Sequence, residues 1–102
     1  MYDSDLNEIV ANNQLELTED SVVSLGKMIL STNLDDITLG IKLLSSYNIK
    51  KYQCIISIYL LHNWKIIKES NIYNSKSFNY ILSILEIKKE EVYEGFINYI
   101  IH

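Results

Sequence analysis

Proline and arginine are both absent from this chain, and alanine and cysteine occur once each, at Ala11 and Cys54. Each absence excludes something. With no proline and three glycines in 102 residues, nothing forces a long loop or an interdomain linker, so residues 1–102 read as one all-helical domain. With no arginine, a bidentate grip on carboxylate or phosphate is not available, and an anion must be met by lysine point charges or backbone amides. One cysteine cannot form an intrachain disulfide. Cys54 lies within an apolar run and is expected to be a small buried hydrophobe in a reducing compartment. No basic segment followed by an apolar one opens the chain, so no secretory signal is expected. The most apolar stretch, Cys54 to Leu61, gives way to His62, Asn63 and Lys65, far short of the roughly 20 apolar residues of a membrane span. A cytoplasmic place follows, or a virion if the source is viral, with no membrane as partner.

The residues that are present belong to the globular class: 48% are hydrophobic and 22% charged, which is enough to build a core and too little charge for a disordered chain. Isoleucine, asparagine, lysine and tyrosine stand where alanine and arginine are usual. Their codons are rich in adenine and thymine, as in phages, large DNA viruses and low-GC bacteria. The net charge of −4 and the pI near 5.0 argue against a nucleic-acid backbone as partner, because phosphate binding draws on clustered positive charge. Lys50-Lys51 and Lys88-Lys89 are the best basic pairs, and Glu90-Glu91 follows the second at once.

The run Val23-Ser24-Leu25-Gly26 to Thr32 recurs fourteen residues later as Ile37-Thr38-Leu39-Gly40 to Ser46, with glycines and apolar positions in register. A unit that short holds one helix and one tight turn. Caps agree. Thr18 can cap a helix that begins with Glu19 and Asp20 and ends near Ser31, with Leu17 stapled to Val22. Asn33 can cap the next, with Asp35 and Asp36 in its first turn, so residues 20–46 are expected to form a helical hairpin. Asn48 is expected to cap a long central helix over about 49–68. Its stripe is Ile49, Tyr52, Ile56, Tyr59, Leu60, Ile66 and Ile67, and Cys54, Ile58 and Leu61 make it apolar on most of its circumference, which places it between neighbours. A loop around 71–74 precedes a helix marked by Phe78, Ile81, Leu82 and Leu85. Short helices over about 4–12 and 89–101 complete a compact all-α bundle of five or six helices, the hairpin packed on the central helix.

Glycine inside a helix costs about 1 kcal/mol against alanine, so the pair at Gly26 and Gly40 points to something gained there. One reading is close helix crossing within the chain. The other is a notch for a partner's helix or aromatic ring. A helix-turn-helix reading of the pair is disfavoured, because the second helix opens on Asp35 and Asp36 and carries Lys42 as its one positive charge.

The chemistry-bearing residues do not assemble into a catalytic or metal-ligating pattern. His62 has Ile58 and Ile66 one turn either side and no second ligand on its face. Asn63 falls within the apolar stripe, where its amide needs hydrogen-bond partners, and Trp64 reads as core. Asp35-Asp36 and Glu90-Glu91 sit at helix starts, which the helix dipole explains. His102 is the last residue. No enzyme, cofactor or metal is expected. The eight tyrosines fit either AT-rich codons or an interface, and Tyr99-Ile100-Ile101 calls for docking against a core or a partner. The expectation is a non-enzymatic protein–protein interaction module, viral or phage-derived: a particle component, an assembly factor or an inhibitor of a host protein. Gly26, Gly40, Tyr47, Lys50, Lys51, Trp64, Tyr99 and Ile101 are its candidate surface, toward a protein partner or a second copy. The alternative is a small helical oligomer holding a ligand such as a nucleotide between subunits, with Lys50, Lys51 and tyrosines at the rim.

Overall fold

The computed structural model describes residues 15–92. The helix expected over 4–12 and the greater part of that expected over 89–101 lie outside the described residues. What is described is an all-α bundle with five α-helices: α1 (Glu19–Ile29), α2 (Leu34–Leu44), α3 (Gln53–His62), α4 (Trp64–Lys68) and α5 (Lys76–Leu85). Short 3-10 turns at Lys50–Tyr52, Asn71–Asn74 and Lys89–Glu91 link or follow them. A parallel pair, β1 (Leu15–Glu16) with β2 (Tyr47–Asn48), is the one sheet among the described residues, with Leu15 beside Tyr47 and Glu16 beside Asn48. It clasps the chain just before the hairpin to the chain just after it.

The hairpin starts where its caps put it. The Ser21 N–H donates to Thr18 Oγ1 at 3.2 Å, and the Asp35 N–H to Asn33 Oδ1 at 2.8 Å. Leu17 and Val22 are both buried in one core, as a hydrophobic staple requires. In the turn between the helices, Ser31 Oγ accepts the Asn33 N–H and donates to Asp36.

The fourteen-residue motif is not the structural period. Both the N-caps, Thr18 and Asn33, and the C-caps, Leu30 and Ser45, are fifteen residues apart, and so are the buried positions: Val22, Leu25, Gly26 and Ile29 match Ile37, Gly40, Ile41 and Leu44. One residue of slip on a helix is a rotation of about 100°. Leu25 and Ile29 are therefore buried, while their motif partners Leu39 and Leu43 are 49% and 42% exposed.

The slip gives the two glycines different neighbours. A Cβ on Gly40 would stand 2.9 Å from Met28 Cβ and 3.3 Å from Ile29 Cγ1, so a side chain here would require α1 to give way where it meets α2. A Cβ on Gly26 would instead strike the far end of the Tyr59 ring from α3. Both notches are filled from within the chain.

The expected helix over 49–68 is divided. Asn48 is not its cap: it lies in β2, where its Oδ1 accepts the Lys50 N–H at 3.4 Å, a 3-10 turn with Ile49 as its N-cap follows, and the α-helix starts only at Gln53, with Tyr52 before it and no side-chain cap. The ladder stops again at Asn63, whose φ of −104° and ψ of 20° leave the helical region. The helix is also one-sided. Ile56 and Leu60 face the core, whereas Cys54 is exposed rather than buried, and Ile58 is 53% exposed. The loop expected at 71–74 is a 3-10 turn capped by Ser70.

The packing order follows from these pieces: α1 lies against both α2 and α3, α2 against α5, and α4 against the 71–74 turn, which meets α5. Trp64 and Phe78 form the centre with rings 5.6 Å apart, and Tyr73 meets the Trp64 ring edge-on at 5.8 Å. Lys89 closes this cluster. Its ammonium lies 3.9 Å from the Tyr73 ring centroid and donates to the Tyr73 carbonyl, a cation–π contact that ties the Lys89–Glu91 turn to the core. At the end of α5, Glu86 takes the left-handed conformation with φ 58°, and the Ile87 N–H reaches back to the Leu82 carbonyl in a Schellman closure.

Three substitutions test this description. Gly40→Ala should destabilise by about 1–3 kcal/mol, because fixed atoms must move apart. Gly26→Ala should stay within about 1 kcal/mol of the parent, since a half-buried ring can swing and alanine is the better helix former; urea unfolding midpoints read both. Glu86→Gly should raise stability by about 1 kcal/mol, the cost of a left-handed conformation for a residue with a Cβ.

Candidate interaction surface

Asn63 is a buried polar side chain, 7% exposed, and its amide nitrogen donates to the Ile29 carbonyl at 2.6 Å and the Ser31 carbonyl at 3.0 Å. The first carbonyl is at the end of α1, where the helix leaves acceptors without an internal partner, and the second is in the turn that follows. A single side chain thus satisfies the end of one helix at the point where another breaks. The need for amide partners was legible in the sequence. Which carbonyls supply them was not, because they lie 34 and 32 residues away.

The candidate residues divide sharply. Gly26, Gly40 and Trp64 are buried, so they shape the fold and offer no surface. Tyr47 is half-buried and packs on the core beside β1, whereas Lys50 and Lys51 are exposed on the turn that leads into α3. Lys51 Nζ stands 5.6 Å from the Tyr52 ring centroid. Tyr99 and Ile101 lie outside the described residues. Tyr52, Tyr59 and Tyr73 line the edge of the core, which accounts for half-buried tyrosines without a partner.

Two apolar faces that the sequence reading missed are on the surface. On α2, Leu39 and Leu43 sit one turn apart on the side opposite Ile37 and Ile41, with Asp35 and Asp36 one turn before Leu39. On α3, Ile55 at 36% and Ile58 at 53% exposure lie one turn apart. The signal was present in the near-continuous apolarity of 53–61. That apolarity predicts neighbours all round, whereas Cys54, Ile55 and Ile58 are exposed.

Concave sites are modest. A cavity of about 230 Å³ between α2 and α5 is lined by Thr38, Ile41, Lys42, Asn71, Ile72, Ser75 and Ser77. Its hydroxyls at Thr38 and Ser75 already donate to the Leu34 and Ile72 carbonyls. A second, wider depression of about 360 Å³ is lined by Ser45, Lys76, Ser77 and Tyr80. Neither is lined by Lys50 or Lys51. Among the described residues no group of three His, Cys, Asp or Glu side chains comes together, and no helix is long and apolar enough to cross a membrane. His62 is exposed at the end of α3.

Asn63→Asp replaces a donor by a carboxylate facing two carbonyl oxygens, and should cost about 3 kcal/mol in urea unfolding. An unchanged midpoint would remove the role given to this amide. No protein family, curated protein or solved structure matches the chain.

Proposed function

We propose that this protein is a non-enzymatic interaction module whose contact surface is the outer side of α2 and α3. The observation that carries the reading is the exposure of Leu39 and Leu43 on one helix and Ile55 and Ile58 on another, each pair within one helical turn. Single exposed apolar residues are ordinary, but paired ones along a helix face form the anchors by which helices dock on other proteins. The composition, rich in residues with adenine- and thymine-rich codons such as isoleucine, asparagine, lysine and tyrosine, supports a phage or viral source, where such a module would be a particle component, an assembly factor or an inhibitor laid over a host protein.

The alternative, a ligand held between subunits at Lys50 and Lys51, draws no support from the cavities, which lie at α2 and α5. A large, concentration-dependent rise in melting temperature with a nucleotide would favour it over the interaction module.

Photo-crosslinking tests the proposal directly. A crosslinking residue at position 43 or 58 should capture a protein in cells that express the chain, and one at the exposed Ser83 should not. Equal capture at all three positions, or none at 43 and 58, would overturn it. Leu43→Lys and Ile58→Lys should lose the captured protein while changing stability by no more than about 0.5 kcal/mol, as surface substitutions do.

A further inference from the structure

We infer that the trough between α2 and α5 is the docking site of the acidic segment at residues 1–12 of the same chain. The trough lies on a different side of α2 from Leu39 and Leu43, so its occupant leaves the proposed interaction surface to a partner.

The two hollows between these helices meet at Ser77 and form one trough. Along α2 it is bordered by Thr38, Lys42 and Ser45, which repeat at helical spacing, and along α5 by Lys76, Ser77 and Tyr80. Ile41 and Ile72, both buried, line it with apolar surface. Lys42 and Lys76 are exposed, and no carboxylate among the described residues lines either hollow. From Thr38 to Ser45 the trough follows two turns of α2, about 10 Å at the helical rise. An apolar floor under two cations is matched by a short amphipathic helix whose polar side is anionic.

The strand pair says which segment that is. The Leu15 N–H donates to the Ser46 carbonyl at 3.3 Å, and β1 runs parallel to β2. In a parallel pair the chain that enters Leu15 comes from the side of Ser46 and Ser45, at one end of the trough, rather than from the side of α3. Residues 1–14 hold Asp3, Asp5 and Glu8 and no lysine, and Leu6, Ile9 and Val10 fall at the i, i+3, i+4 spacing of a helix face. A helix over 4–12 would be about 12 Å long, the length of the trough, with its apolar stripe toward Ile41 and Ile72 and its carboxylates beside Lys42 and Lys76. The short tether to Leu15 holds the segment at an effective concentration on the order of mM, which a free acidic peptide must exceed to displace it. The segment after Val92 matches the two lysines less well, since Glu94 is its one acidic side chain.

Paramagnetic relaxation in the full chain reads the docking. With Cys54→Ser removing the native thiol, a nitroxide on Ser4→Cys should broaden the amide signals of Thr38, Lys42 and Ser77 several-fold more than those of Ile55 and Ile58. Lys42→Glu/Lys76→Glu, or Asp5→Lys/Glu8→Lys, should each remove most of that broadening with helical circular dichroism unchanged, and the four changes together should restore it. Nitroxide-bearing chains mixed with isotope-labelled chains that carry no nitroxide should leave the labelled signals sharp. Broadening that is even over the surface, that survives both reversals, that the four changes fail to restore, or that appears in the mixture overturns docking within the chain. Stronger broadening of the same amides from a nitroxide on Asn98→Cys overturns it as well, and gives the trough to the segment after Val92.

Discussion

The two hydrogen bonds from the Asn63 amide to the end of α1 and the turn that follows organise the rest of the molecule. Buried amides that lose their partners cost more than made hydrogen bonds contribute, so the position of this side chain is strongly determined. Fixing it sets the break between α3 and α4, and with the break the direction in which Trp64 enters the core. The aromatic centre of Trp64, Tyr73 and Phe78 then forms on the far side of that break. A continuous helix over the same residues would carry Trp64 onward along the line of α3. The polar residue in the middle of an apolar segment is thus the pivot of the fold rather than a flaw in it.

Helix positions and caps were legible because they rest on local chemistry. Thr18 and Asn33 each cap within a few residues of themselves, and the acids that follow them suit the same helix ends. The hairpin, the helix at Phe78 to Leu85 and the all-α class therefore come straight from spacing. Continuity was not legible in the same way. Whether residues 49–68 form one helix or several depends on the carbonyls that Asn63 finds, and those belong to a distant segment. The same limit applies to Cys54. Its apolar neighbours suggest burial, and only the placement of α1 beside α3 decides which half of the helix is covered.

The motif repeat gives the sharpest contrast between likeness and role. Gly26 and Gly40 are equivalent in sequence and inequivalent in space, one beneath a tyrosine ring and the other where α1 meets α2. Register is set by where each helix begins, and the caps lie one residue farther apart than the glycines. The candidate surface suffers from this directly: its glycines and Trp64 proved to be interior, while the leucines that the slip turns outward were not among the residues singled out. Lys50 and Lys51 kept their exposed positions, at the edge of the face formed by α3.

The clasp between Leu15–Glu16 and Tyr47–Asn48 has a consequence for how the chain reaches its native state. It closes the hairpin into a loop in which the contacts between α1 and α2 are near in sequence, and near contacts form before distant ones because they restrict less chain. The pairing of two residues on each side is too brief to hold alone. It becomes favourable once the hairpin has brought Ser46 back beside Leu15, whose N–H donates to the Ser46 carbonyl at 3.3 Å. The strand pair is then a late seal on an early-forming unit, and Leu15–Glu16 is anchored only after the hairpin that follows it has folded.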